Sequence, residues 1–477
     1  MKALALTPNA RRIFTIAGTG LALMFLAQLV AHGTLRSFAL GLFVAMAIPL
    51  CYFAIERPLV FPFGLYAAMV PFNDVLGEGS AGTLLRLLGI AAIAALSFGI
   101  LRRGEFAKPN AGTVVLIAIA AWIGISGMWA MDVKEWQGQY LTFIQLFALY
   151  AIAAFTLPSR GDLMALCTWT VTGGLAAAAV ALWPALHGHL VGPSGRLTLP
   201  GGNRYDPVDP NQFAAGLLLP FAILFAATLG TRKLSAQLLN VAGLIMMGIT
   251  IIMTGSRSAM IALLVLVLYI AFRSRNRFVG FALVGLCAIA LVPFAATVTS
   301  RWSNALASGG AGRTDIWQVA LIVIKQHWLL GTGFGSFPAA FNTAVLKAPL
   351  QAYIGWSRAP HDLIVATLVE LGILGLALVA FALVMQFRCV AALPRVGGFL
   401  EDLCVACEAA LIAATIDALF LDMILRKYLW LIFIMIALVR TSILSVIKLE
   451  QERRRTACAA PSSLTPVPTS VPERLSA

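Results

Sequence analysis

Residues 361–387 read HDLIVATLVELGILGLALVAFALVMQF, a histidine and an aspartate followed by a run that is apolar apart from Thr367, Glu370 and Gln386. A helix of about 20 apolar residues spans the roughly 30 Å hydrocarbon core of a bilayer. Runs of this kind recur along the whole chain of 477 residues. The sequence therefore predicts an all-α polytopic membrane protein with about twelve to fourteen transmembrane helices.

The composition also indicates a membrane protein. Hydrophobic residues make up 60% of the chain and charged residues 11%, whereas soluble domains have about 45–50% and about 25%. The net charge of +14 is spread over short loops between the spans, a distribution that sets topology, and we expect no nucleic-acid partner. With Arg11 and Arg12 inside, both termini are expected in the cytoplasm. No small-residue cleavage site follows the first apolar run, so it is predicted to remain as a signal anchor.

The apolar runs define the expected organisation of the chain. The predicted spans are 13–31, 36–55, 59–73, 84–101, 111–130, 137–157, 163–186, 211–229, 234–253, 258–272, 278–299, 362–387, 403–422 and 427–446. The span at 59–73 is short enough to be one arm of a re-entrant hairpin. The expected regions are N-terminal transmembrane helices (1–186), a periplasmic loop (187–210), further transmembrane helices (211–299), a large periplasmic loop (300–361), C-terminal transmembrane helices (362–447) and a disordered cytoplasmic tail (448–477).

The two outer segments, 187–210 and 300–361, are longer than the other loops, and long loops are often functional. The second segment contains one acidic residue, Asp315, and five basic residues, namely Arg301, Arg313, Lys325, Lys347 and Arg358. A net charge near +4 (five minus one) suits an anionic ligand. Residues 315–330 have the spacing of an amphipathic helix. Its expected apolar face is Ile316, Trp317, Ala320, Leu321, Ile324 and Trp328.

Three short motifs lie at the predicted outer ends of spans. Arg257, in TGSRS at 254–258, lies between two spans, where it either snorkels to the interface or faces a polar cavity. GTGFGSF at 331–337 has no preceding strand, so we interpret it as a tight turn rather than a nucleotide site. Asp362 suits the cap of a helix N-terminus.

His361 has no comparable structural explanation. Its side chain has an unperturbed pKa near neutrality, so it is suited to moving a proton. The spacings of the other outer-loop histidines, His187, His189 and His327, fit no standard zinc site, and we expect no metal.

Five motifs occur in an order that resembles the O-antigen ligase/polymerase (WaaL/Wzy-like) superfamily of bacterial membrane glycosyltransferases. They are Asp209-Pro-Asn211, TGSRSA at 254–259, GRTDIW at 312–317, HWLLGTGFGSF at 327–337, and His361-Asp362 followed after nine residues by Gly372-x-x-Gly375. Three details differ from the family pattern. Asp362 replaces a neutral polar residue, and Trp328 replaces the proline before the glycine turn. The arginine expected shortly before Asp209 is ambiguous, because Arg196 and Arg204 both qualify.

The resemblance implies a periplasmic reaction at the inner membrane. The donor would be a glycan on undecaprenyl diphosphate, and the acceptor lipid A–core in a ligase or a growing glycan in a polymerase. His361 would be catalytic, taking a proton from the acceptor or binding phosphate as a cation. Arg257 and Arg313 would bind the diphosphate, with Arg204 or Arg196 as a third cation. The supporting residues would be Asp362, Asp209, Asn211, Gly372 and Gly375. Membrane lipid is a further partner, and no cofactor is expected because the donor is already activated.

Several functions remain open at this point. The spacing between His361 and Gly372 favours a ligase, with a polymerase as the first alternative and transfer of the glycan to a protein as another. A transporter for the same lipid-linked glycans is the alternative from a different class. It would be expected to show inverted repeats and broken helices near the membrane midplane. The sequence has no clear repeat, and its polar residues cluster at the outer face instead.

Overall fold

The computed structural model describes residues 50–76, 80–188, 195–201, 208–231, 233–274, 277–294, 299, 313–348, 350 and 355–459. The predicted span 13–31 and most of 36–55 lie outside these residues, as do Arg204 and residues 300–312. Every regular element of the described residues is helical. The predicted all-α fold is therefore confirmed.

Residues 50–56 are helical, and fifteen further α-helices have defined bounds among the described residues. In chain order they are α1 (Phe63–Met69), α2 (Asn73–Leu76), α3 (Ser80–Arg103), α4 (Ala111–Ser126), α5 (Val133–Phe155), α6 (Arg160–Leu186), α7 (Pro210–Gly230), α8 (Leu234–Met253), α9 (Arg257–Arg273), α10 (Arg277–Leu291), α11 (Arg313–His327), α12 (Phe337–Ala344), α13 (Leu363–Ala391), α14 (Gly398–Ala418) and α15 (Lys427–Ala459). Short 3-10 helices cover Val70–Phe72, Val292–Phe294 and Val345–Lys347.

Seven of these helices are long and apolar enough to cross a membrane, namely α3, α5, α6, α7, α8, α13 and α15. Shorter apolar helices cover Phe63–Phe72, Ala111–Ser126 and Arg277–Ile289. The chain is thus a multi-pass membrane protein, and the total number of spans stays a prediction. The predicted span 59–73 is reduced to α1 and the 3-10 turn after it, because the chain enters a 3-10 turn at Val70 with Pro71 at one of its first positions.

The centre of the bundle is α7. It packs against α6, α8, α9 and α14, and 83% of its most apolar window is buried inside the protein. The helix has no charged residue, and after Gln212 its one polar residue is Thr228. Every face of the helix is therefore suited to burial. This central position holds the N-terminus of α7, with Asp209, among the helices that carry the other candidate site residues.

α13 is interrupted at Gly372, where φ is 66° and ψ is −168°. A loop at 328–337, here called the glycine loop, replaces the missing helical hydrogen bonds. The carbonyl oxygens at positions 369 and 370 accept from the N–H groups of Thr332 and Gly333, at 2.8 and 2.9 Å. Beyond the break, the Trp328 carbonyl accepts from the N–H of residue 373 at 2.9 Å. Irregular backbone inside a membrane protein is tolerated where protein covers it and pairs its polar groups.

The glycines at this junction are required by space as well as by dihedral angle. A Cβ added to Gly372 would lie 2.2 Å from the Leu329 carbonyl oxygen, and one added to Gly331 would lie 2.3 Å from the carbonyl carbon of Glu370. Gly331, Gly333 and Gly335 all have positive φ. The glycine loop is therefore the tight turn expected from the sequence, and it forms hydrogen bonds with the residues on both sides of the break in α13.

We predict that Gly372→Ala destabilises the protein, because the new methyl group meets the Leu329 carbonyl and the backbone lies in a region that costs a residue with a side chain about 1–3 kcal/mol. Thermal unfolding in detergent should show a lower Tm for this variant. Gly285→Ala is the matched control, since Gly285 lies in α10 with open space around its Cβ position. Equal Tm values for the two variants would contradict the steric explanation.

The amphipathic helix predicted at 315–330 exists as α11, but its buried face is rotated. The buried residues are Ile316, Val319, Ala320 and Val323, whereas Leu321 and Trp328 are 54% and 58% exposed. Leu321 and Trp328, two residues of the predicted apolar face, are thus not covered by the protein. α11 packs against α12 and α13 and forms a second core with Phe337, Phe341 and Val369. These protein neighbours, rather than a membrane surface alone, decide which stripe is covered.

The C-terminal region differs from the predicted tail that begins at Lys448. Helix α15 continues to Ala459. Two ion pairs one helical turn apart link Lys448 with Glu452 and Glu450 with Arg454, and such pairs support an exposed helix. Residues 460–477, the remainder of the predicted disordered tail, lie outside the described residues.

Candidate functional site

Four helices, α7, α9, α11 and α13, begin at one end of the bundle. We call this the site end, defined by Arg196, Asp209, Arg257, Arg313 and His361. Charge interactions connect Asp209, Arg257, Arg313 and His361. Arg196 joins them through Asn211, which accepts a hydrogen bond from Arg196 and donates one to Asp209. Helix N-termini carry unpaired N–H groups and partial positive charge, which favour anions. The helix starts at the site end therefore add partial positive charge to that of its arginines.

Arg196 joins three separate segments of the site end. Its Nε donates to the Thr254 carbonyl at 2.7 Å, and one terminal nitrogen donates to Asn211 Oδ1 at 2.6 Å. Asn211 donates from its backbone N–H and its Nδ2 to Asp209 Oδ1, each at 2.9 Å. Asp209 thereby caps α7, with Pro210 at the first helical position. The structure thus brings Arg196, Asp209 and Asn211 together beside the turn that leads into α9.

Arg257 is the first residue of α9 and follows a reversal of the chain. Gly255 has a φ of 64°, and Ser256 caps the helix by accepting the Ala259 N–H at 3.5 Å. The Arg257 side chain is half-buried. Among the described residues, no carboxylate lies within ion-pair distance of its guanidinium group. A half-buried arginine with no such partner at a helix start is suited to binding an anion.

Arg313 is the first residue of α11 and lies close enough to Arg257 for the two charges to repel. Burial, followed by the charge of Arg257, lowers the pKa of Arg313, while Asp209, Asp362 and Asp417 act in the opposite direction. Within the described part of the chain, Arg313 also lacks an ion pair. Two arginines that repel each other in a half-buried setting indicate a place for shared negative charge.

His361 lies immediately before α13 with a φ of 50°, an uncommon backbone conformation for a residue with a side chain. Burial, followed by the charge of Arg313, lowers the pKa of the imidazole. Asp209 and Asp422 raise that pKa, and Arg426 lowers it. The histidine is therefore half-buried, faces both arginines and acids, and is held mainly in its neutral form.

Asp362 performs the capping role expected from the sequence. Its Oδ1 accepts the Val365 N–H at 2.9 Å. Burial raises the pKa of Asp362, while the backbone N–H groups and Arg313 partly offset this. Gly375 follows the break in α13, and a Cβ there would lie 2.2 Å from the Leu371 Cβ. The helix start and the close packing are thus explained by structure, whereas His361 has no hydrogen bond to any of the described residues.

Three residues of the site end were not singled out by the sequence analysis. The first is Asp417, on α14, which is fully buried. It lies near Asp209 and Arg313 and faces the Ser258 hydroxyl, yet neither carboxylate oxygen has a hydrogen bond of acceptable geometry among the described residues. An acid near the end of an apolar helix is itself a signal for function, and that signal was available in the sequence.

The other two are Asp422 and Arg426, in the turn between α14 and α15. The predicted span 403–422 placed Asp422 inside the membrane, but α14 ends at Ala418. Burial raises the pKa of Asp422, which Arg426 and His361 oppose through their charges. The Arg426 Nε donates to the Asp422 carbonyl at 3.3 Å. This turn therefore adds one acid and one cation to the surroundings of His361.

The site end combines cations for an anionic group with a neutral histidine beside them. Its cations come from separate segments, namely Arg196, Arg257, Arg313 and Arg426, and its acids are Asp209, Asp362, Asp417 and Asp422. No three His, Cys, Asp or Glu side chains of the described residues are arranged to hold a metal ion. Chemically, the arrangement can hold a phosphate group near a group that accepts a proton.

Comparison with known proteins identifies the central part of the chain. Residues 242–380 match the family model Wzy_C, O-Antigen ligase. This range contains Arg257, Arg313, the glycine loop and His361, whereas Asp209 precedes it and Asp417 follows it. No curated protein matches the chain. Residues 242–380 are therefore similar to the O-antigen ligase domain, and this match supports the resemblance of the chain to the O-antigen ligase/polymerase superfamily.

Proposed function

We propose that this protein is an O-antigen ligase-like glycosyltransferase. It moves a glycan from undecaprenyl diphosphate to lipid A–core, or to a related acceptor, at the periplasmic face of the bacterial inner membrane. The observation that carries the proposal is the grouping of Arg257, Arg313 and His361 at helix starts on one end of a multi-pass bundle. A lipid-borne diphosphate accounts for cations held at the membrane boundary, and the family domain supports glycosyl transfer.

The two arginines would bind the diphosphate of the donor. When the glycan leaves, negative charge increases on the diphosphate, and groups already aimed at that charge lower the barrier. A guanidinium group stays charged and offers a planar fork to phosphate oxygens. Arg196 is held by Thr254 and Asn211, so we assign to it the positioning of this region. The choice between Arg196 and Arg204 as a third cation stays a prediction.

His361 would act as the base. The acceptor hydroxyl forms a bond to the anomeric carbon, the bond from that carbon to the diphosphate oxygen breaks, and the hydroxyl proton moves to the imidazole. The lowered pKa of His361 supports this role, because only the neutral imidazole accepts a proton. Asp209 and Asp422, which raise that pKa, would stabilise the imidazolium ion as it forms.

The test of this function is transfer by the purified protein in lipid nanodiscs. Undecaprenyl-diphosphate-linked glycan and lipid A–core should yield glycosylated core and free undecaprenyl diphosphate. Cells that lack the gene should then display unmodified core and accumulate polymer on undecaprenyl diphosphate. Single repeat units on the core, with elongation of one donor by another in vitro, would instead identify a polymerase. Absence of transfer to either acceptor would refute the proposal.

The lowered pKa of His361 predicts the pH dependence of transfer. A base with a lowered pKa stays neutral to more acidic pH, so the acid limb of kcat/KM should lie below pH 6.5, the ordinary value for histidine. Arg313→Gln removes one cause of the lowering, and the limb should then move to higher pH. Arg388→Gln, at the opposite end of α13, is the control and should leave the limb unchanged. A wild-type limb above pH 6.5 would contradict the assignment of His361 as this base.

A further inference from the structure

A cavity of about 570 Å³ lies at the end of the bundle opposite the site end. Its walls come from the first half of α6, the second half of α7, the first turns of α14 and Asn240 of α8. Because α7 begins at the site end, its second half leads to the other end of the bundle, which is cytoplasmic in the predicted topology. The volume is within the range of about 300–1,000 Å³ that is typical of ligand sites.

The charged side chains of this cavity are one cation and one anion. Arg160 is the first residue of α6, and Asp402 lies in the second turn of α14. Neither side chain makes a hydrogen bond or an ion pair with any of the described residues. Asp402 is half-buried and packs against the end of α7, where a Cβ on Gly230 would collide with its Oδ2. The cavity therefore presents two opposite charges that one ligand can pair.

The wall that leads away from these charges is largely apolar and extends into the membrane. On α6 it runs from Arg160 to Thr172, about 18 Å at 1.5 Å per residue. The hydrocarbon of one leaflet is half of the roughly 30 Å core, so the wall extends through one leaflet. Met164 lines it and is 49% exposed, which opens the cavity at the side of the bundle. A ligand from water needs neither this depth nor a lateral opening, whereas a lipid chain needs both.

We propose that the cavity binds a phospholipid of the cytoplasmic leaflet whose headgroup carries both a phosphate and a primary amine, namely phosphatidylethanolamine. Arg160 binds the phosphate, Asp402 accepts hydrogen bonds from the ammonium group, and one acyl chain follows the apolar wall between α6 and α7. An anionic headgroup without an amine leaves Asp402 unpaired and is repelled by it. The site lies at the other end of the bundle from His361, so it is a lipid site separate from the proposed reaction.

The test measures, by native mass spectrometry, the apparent Kd of the delipidated full chain for phosphatidylethanolamine and for phosphatidylglycerol with the same acyl chains. The wild type should bind phosphatidylethanolamine about tenfold more tightly, as expected for a hydrogen bond between charged groups. Asp402→Asn should remove this preference. Glu401→Gln is the matched control and should keep it, because Glu401 is the adjacent acid, contacts Arg395 and the Gly397 N–H, and does not line the cavity.

Arg160→Gln tests the contact with the phosphate, which the two lipids share. This variant should weaken the binding of both lipids and leave their ratio nearly unchanged. Arg388→Gln is the control, because Arg388 is an exposed arginine at the same end of the bundle but outside the cavity. Equal weakening by the two arginine variants would indicate general attraction of lipid phosphate to a basic surface, and it would contradict the assignment of Arg160.

A further measurement does not depend on the folding of a variant. Phosphatidylethanolamine with a diazirine in one acyl chain should label peptides of α6 and α7 in the wild-type protein. Excess phosphatidylethanolamine should prevent this labelling, and the same excess of phosphatidylglycerol should not. Labelling confined to other helices, equal competition by the two lipids, or an unchanged preference in Asp402→Asn would each overturn the proposal.

Discussion

His361→Ala is expected to reduce glycan transfer by about 10²–10⁴-fold, the usual contribution of a positioned general base. The acceptor hydroxyl would lose the group that takes its proton, while Arg257 and Arg313 would still hold the diphosphate. The loss should therefore fall on kcat, with little change in KM for the donor. Product formation at several donor concentrations, measured with purified protein in nanodiscs, separates the two constants.

The matched control for this variant is His187→Ala. His187 is exposed at the end of α6, where its Nδ1 contacts the Trp183 carbonyl at 2.8 Å, so its removal should leave transfer unchanged. Both variants should insert and unfold like the wild type, since His361 makes no hydrogen bond within the described residues. Normal turnover by His361→Ala would contradict the assignment of His361 as the base.

Arg313→Ala is expected to reduce kcat about 10²–10³-fold, which is the typical cost of removing one group that stabilises developing negative charge. The donor KM should rise as well, because the ground-state diphosphate also loses a contact. Arg313→Lys should recover only part of the activity, since an ammonium group cannot pair with two phosphate oxygens as a guanidinium fork does. Steady-state kinetics with the undecaprenyl donor measures all three enzymes.

Lys325→Ala tests whether the loss is specific to Arg313. Lys325 lies on the same helix, α11, and is exposed. It contributes positive charge to the loop without belonging to the site end. An equal loss from the two alanine variants would indicate general attraction of the donor to a basic loop, and it would contradict the assignment of Arg313 to the diphosphate.

Much of the architecture follows from local sequence. The apolar runs predict the long helices, and the capping residues Asp209 and Asp362 mark helix starts that the structure confirms to within a residue. These successes share a cause, because helix length and capping depend on residues within a few positions of each other. Local contacts also explain why α15 is longer than the predicted span 427–446. Its last turns carry ion pairs at helical spacing beyond the apolar run.

The parts that sequence alone did not provide depend on distant contacts. The buried face of α11 is set by Phe337 and Val369, which no periodicity within α11 can reveal. Asp422 and Arg426 come near His361, and Asp417 comes near Arg313, only because α14 and α15 pack beside α7 and α13. The glycine loop was predicted as a tight turn, but its insertion into another helix required the fold.

The hydrogen bonds at the Gly372 break also give the site end a mechanical property. They fasten the far end of α11, which begins with Arg313, to the far end of the segment 363–371, which follows His361. At the near end, the Trp317 Nε1 donates to the Pro360 carbonyl at 3.3 Å. Helix α11 and the segment 363–371 are thus joined at both ends. Under the proposed function, a shift of Arg313 towards a bound diphosphate would therefore move His361 in the same direction.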